Sequence, residues 1–139
     1  MHPPYRRKKK LEVICDRSIL TGNQQSDTPI IDRLAELQKN GVGIVFASVF
    51  ESADLIDQLK ATSLEIQEKN LMCWPFGMNA LEDFWNIRFK QHHKQDFYIG
   101  EFFQNLKIAE HYGVRTMCWN PHSRDRFLEF EQFVQKIKI

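Results

Sequence analysis

The chain has 139 residues, a length that suits one domain with a single core. Its formal net charge of +1 gives no field for gathering nucleic acid or a membrane surface, and no apolar run approaches the roughly 18 residues of a membrane span. Three Cys with no CxxC pair argue for reduced thiols and a cytoplasmic setting.

Met1 to Lys10 holds two prolines and five consecutive cations, so it reads as a basic disordered tail. No apolar stretch follows those cations, so no signal peptide is expected. Leu11 to Asp16 is a short apolar run ending on a carboxylate, which reads as a buried strand. Thr28-Pro29 is expected to open a helix, with Ile30, Ile31, Leu34 and Leu37 as its inner stripe and Asn40-Gly41 as its stop. Gly43 to Ser48 is a second buried strand, and Ser52 to about Ile66 a second helix.

Leu71 to Trp74 reads as a third strand stopped by Pro75. Asn79 and Glu82 form a capping-box-like start to a third helix that runs to about Lys94 through Leu81, Phe84, Trp85 and Phe89. Phe97 to Gly100 is a fourth strand, with Glu101 directly after it. A helix then follows with Phe102, Leu106 and Ala109 facing inward, and Gly113 ends it. Val114 to Trp119 is a fifth strand. Ser123 caps a last helix carrying Phe127, Phe130, Phe133, Val134 and Ile137 on one side. Cys15, Cys73 and Cys118 all fall in apolar runs, where a Cys is expected to be a small buried side chain.

Strands and helices that alternate with short connections predict a three-layer, Rossmann-like α/β fold around a parallel sheet. Residues 11–139 then form a single α/β domain behind the tail. Chemistry in such sheets gathers outside the carboxyl ends of the strands. Asp16, Ser48 and Glu101 all fall there. Two carboxylates and a hydroxyl at one sheet edge suit Mg²⁺ and phosphate, because the hard cation takes oxygen ligands. His92-His93 are adjacent and point to different sides of a helix, so they do not chelate together.

Three stretches resemble motifs of the haloacid-dehalogenase-like (HAD) phosphohydrolases. Val13 to Leu20 is similar to the family's first motif, a strand running into DxDxT. Ile44 to Ser48 resembles the second, a strand ending on Ser or Thr, and Tyr98 to Asn105 resembles the fourth, GDxxxD before a helix. The resemblance implies a capless HAD-like domain with a five-stranded sheet in the order 5-4-1-2-3. It implies catalytic roles for Asp16 as nucleophile and for position 18, a phosphate-binding Ser48, and a Mg²⁺ site from Asp16, the Ser18 carbonyl, Glu101 and Asn105. Asp16 would form an aspartyl-phosphate that water hydrolyses.

The sequence also departs from the family. Ser18 stands where the family has its general acid, a role typically worth roughly 10²–10⁴-fold. Glu101 is one methylene longer than Asp, Asn105 replaces an acid, and Trp74 to Met78 lacks the third motif's Lys. Arg88, Lys90 and Lys94 are expected on a solvated helix face instead. Two readings follow from the resemblance. One is a Mg²⁺-dependent phosphatase acting on an unidentified phosphorylated substrate, best on acyl phosphates and anhydrides that need no proton on the leaving group. The other is a pseudoenzyme that keeps the fold as a protein-binding or regulatory module, with Phe102-Phe103 filling the site entrance or forming an interface. A homo-oligomer or protein partner fits either reading; nucleic acid and membrane are not expected. A receiver-like signalling domain is a weaker third, since no acidic pair and no Lys after the last strand are visible.

Overall fold

A computed structural model describes residues 11–48, 53–67, 70–73, 82–83, 85–86 and 96–137. In chain order these hold β1 (Glu12–Asp16), a 3-10 turn (Arg17–Ile19), α1 (Gln24–Lys39), β2 (Gly43–Ser48), α2 (Ala53–Leu59), β3 (Leu71–Cys73), β4 (Phe97–Gly100), α3 (Phe103–His111), β5 (Arg115–Cys118) and α4 (Arg126–Val134). The alternating α/β architecture read from the sequence is what the structure has. The strands form one parallel sheet ordered β3-β2-β1-β4-β5. The tail, the Asn79 cap, Phe84, Phe89, Lys94, the cations at 88 and 90, and His92-His93 lie outside the described residues.

Successive residues of a strand face opposite sides of a sheet, and both sides here are covered. Val13, Cys15, Phe46 and Ile99 pack with Leu34 of α1, Leu55 of α2 and Phe133 of α4 on one side. Ile14, Val45 and Tyr98 pack with Trp85 and with Leu106 and Ala109 of α3 on the other. Residues buried on both faces make strands apolar throughout rather than alternating, which is why β1 and β4 read as runs.

Several boundaries differ from the sequence expectation, each for a local reason. α1 starts at Gln24, not at Thr28-Pro29, because the Asn23 side chain accepts the Ser26 N–H and caps the helix first. Pro29 then sits inside the helix. α2 ends at Leu59 rather than near Ile66. The Thr62 hydroxyl donates to the Leu59 carbonyl at 2.8 Å and turns the chain, and residues 64–67 continue without helix. There the Gln38 side chain clamps the backbone of Glu65, donating to its carbonyl at 2.7 Å and accepting its N–H at 2.9 Å.

α4 is preceded by Asp125, while Ser123 accepts the Asp125 N–H one turn earlier. Phe102 was expected to face inward but is 53% exposed. It occupies the N-cap of α3 with an extended backbone, so helical spacing counted from it does not apply. Cys118 is exposed, not buried, because it alternates with inward-facing Met117 on the outermost strand.

One feature of this layout positions a site. The chain runs from β1 outward through β2 to β3, then returns to the other side of β1 for β4 and β5. The order therefore reverses between β1 and β4, where the connections leave toward opposite faces, the position at which open α/β sheets tend to carry their sites. Among the described residues no helix is long and apolar enough to cross a membrane.

Candidate functional site

Asp16 ends β1, with Ala47 of β2 as its register partner on one side. On the other side Cys15 pairs with Ile99, which brings the ends of β1 and β4 together. Glu101 leaves the end of β4 and Asn105 lies in the first helical turn of α3. Ser18 is exposed in the 3-10 turn, and Ser48 ends β2. The sheet thus gathers the backbones of all five residues at one edge.

The Asp16 side chain does not open to solvent. It is 4% exposed, and both of its oxygens accept hydrogen bonds from this chain. The Tyr98 hydroxyl donates to Oδ1 at 2.5 Å, and the Glu101 N–H donates to Oδ2 at 3.0 Å. Asn105, buried on the following helix, acts on the Tyr98 hydroxyl in the direction that lowers its value.

Burial pushes the Asp16 carboxyl above its usual value, against the lowering effect of the Tyr98 and Glu101 donors, and the nearby Glu101 charge adds to the rise. Burial likewise raises Tyr98, with the Asp16 charge next in size. The Cys15 thiol is raised by burial first and then by the Asp16 charge, so no reactive thiolate forms beside the carboxylate. Arg17 is engaged elsewhere. Its guanidinium donates to Asp54 at 3.2 Å, to Gln58 at 3.3 Å and to the Leu20 carbonyl at 3.4 Å.

The resemblance implies a Mg²⁺ ion at this sheet edge. Mg²⁺ demands a near-octahedral shell of oxygens and gives up its waters reluctantly. Here each oxygen of Asp16 faces a hydrogen-bond donor, and the carboxylate has almost no contact with solvent. Asn105 is buried as well. Among the described residues no three His, Cys, Asp or Glu side chains converge as a metal-binding group. As they stand, these residues do not fit the ion.

Tyr98 is the site residue that sequence reasoning missed; Gly100 stands in the stretch that resembles the fourth motif, but its closeness to the Tyr98 ring is not visible in the sequence. In the sequence Tyr98 is only one residue of the strand Phe97 to Gly100, and the register of β1 against β4 is what puts its hydroxyl on Asp16. A separate cavity of about 240 Å³ lies between the start of α1 and the end of α2, lined by Gln24, Asp27, Ile31 and Gln58 among others. Neither Asp16 nor Glu101 borders it. The chain matches no protein-family model and no curated protein.

Proposed function

We propose that this chain is a HAD-like fold whose phosphohydrolase centre has lost turnover, and that it works as a protein-binding or regulatory module. The observation that carries this reading is the internal bonding of Asp16. An in-line nucleophile needs a free oxygen facing its substrate, and both oxygens of this carboxylate are held by Tyr98 and Glu101. Ser18 supports it further, because a hydroxyl at the acid position supplies no proton near neutral pH. The strand order β3-β2-β1-β4-β5, counted from the other edge as 5-4-1-2-3, supports the family resemblance itself.

Phe102 and Phe103 favour binding as the remaining task. They are 53% and 69% exposed, side by side, directly after Glu101. Adjacent large aromatics in water are a common mark of a protein contact.

A second reading, the active phosphatase, is favoured by one observation. Glu101 lies near enough for its charge to act on Asp16 at the switch point of the sheet. The two readings part on Mg²⁺-dependent hydrolysis of acetyl phosphate and p-nitrophenyl phosphate, with Asp16→Asn as control. The binding-module reading expects no hydrolysis above that control. Metal-dependent turnover that vanishes in Asp16→Asn would establish the phosphatase instead.

A further inference from the structure

Tyr98 and Gly100 lie two residues apart on one face of β4, and the tyrosine ring folds along the strand over the glycine. A Cβ at position 100 would sit 2.6 Å from Cε2 and Cζ of that ring and 2.7 Å from its hydroxyl oxygen. Only a residue without a side chain lets the ring take this path. The path ends with the hydroxyl 2.5 Å from Asp16 Oδ1. Trp85 closes the other side of the ring in an edge-on contact, with centroids 6.2 Å apart. Tyr98 is fully buried, so it is packed in this pose as well as hydrogen-bonded in it.

We infer that Tyr98 is an internal occupant of the Asp16 carboxylate, admitted by Gly100 and packed against Trp85, and that it keeps a divalent cation from that carboxylate. The inference rests on the HAD-like reading and explains why the residues do not fit Mg²⁺. The other departures from the family pattern do not explain it as well. Position 18 lends a cation only its backbone carbonyl, which Ser18 retains. Glu101 keeps a carboxylate immediately after β4, and its N–H already reaches Asp16. What stands against Asp16 Oδ1 itself is a phenol.

The test is Tyr98→Phe, which keeps the buried ring and removes the hydroxyl, probed with MgCl₂ alone. Melting temperature is compared in MgCl₂ and in NaCl of equal ionic strength. Wild type is expected to melt at the same temperature in both. Tyr98→Phe is expected to melt a few degrees higher in MgCl₂, since an ion that binds only the folded state raises its stability. The gain is expected to disappear when Asp16→Asn is added. Gly100→Ala offers a second route, because its Cβ displaces the ring while leaving the hydroxyl on the molecule; it should gain the same response if Tyr98→Phe fails to fold. A folded Tyr98→Phe that ignores Mg²⁺ overturns the inference, as does a wild type that already responds through Asp16. The two failures stay distinct. Absent hydrolysis with an unresponsive Tyr98→Phe leaves the binding-module reading in place and removes only the role given to Tyr98.

Discussion

Asp16 and Asp27 are buried alike, at 4% and 5% exposure, yet they are held by different kinds of partner. Asp27 takes the Thr21 N–H at 2.8 Å, the Thr21 hydroxyl at 2.9 Å and the Gly22 N–H at 2.9 Å, all within six residues of itself. Asp16 takes donors 82 and 85 residues away, from a neighbouring strand and the turn beyond it. The first carboxylate closes a loop onto its own helix. The second ties two strands at the point where the sheet reverses. A local tie forms as soon as its turn does, whereas a tie between β1 and β4 exists only once the sheet is assembled.

Removing each carboxylate should expose this difference. Asp16→Ala leaves a buried tyrosine hydroxyl and the Glu101 N–H without acceptors. At about 1–3 kcal/mol for each orphaned buried donor, the loss should be roughly 2–6 kcal/mol, read from the urea midpoint at unchanged slope. Asp27→Ala should lose less, about 1 kcal/mol, the net worth of a typical hydrogen bond whose donors water can reach. Thr21 and Gly22 are exposed, so water can replace the missing carboxylate there. Equal losses at the two positions would contradict the contrast.

A smaller effect should appear in the pH dependence of stability. Burial raises the folded-state value of Asp16 above the ordinary carboxylate value of about 3.9. The folded chain therefore holds that proton longer than the unfolded chain. Its contribution is complete below the unfolded value and is lost as pH rises through the folded value. Wild type should lose stability relative to Asp16→Asn as pH is raised from about 4. Parallel curves for the two proteins would show that Asp16 titrates as an ordinary carboxyl.

The same contrast explains what was legible in the sequence. Val13 to Asp16 and Phe97 to Gly100 are apolar runs bounded by polar residues, so both strands could be read from local pattern. The placement of Asp16 and Glu101 at strand ends was legible for the same reason. Tyr98 was not. Nothing within a helix turn or a strand's length of it hints at a carboxylate partner, and its alternation with Phe97 and Ile99 fits a core aromatic equally well. Asn23 was missed differently. Two good capping sites compete there, Asn23 and Thr28-Pro29, and Asn23 prevails because Asp27 draws the preceding turn onto the helix. Phe102 failed because periodicity predicts the face of a helical residue, and Phe102 stands one position before the helix.

β5 has a consequence for how any partner would approach. It is the outermost strand on its side of the sheet and spans only four residues. Its first residue, Arg115, is exposed and lays its guanidinium over the Phe97 ring at 5.2 Å, and Asn120-Pro121 follows within three residues of its end. A sixth strand seeking to continue the hydrogen-bond ladder here would find a short template, a cation at one end and a proline beyond the other, which are the devices that keep sheets from growing edge to edge. Contacts made through this side would have to use side chains rather than backbone pairing.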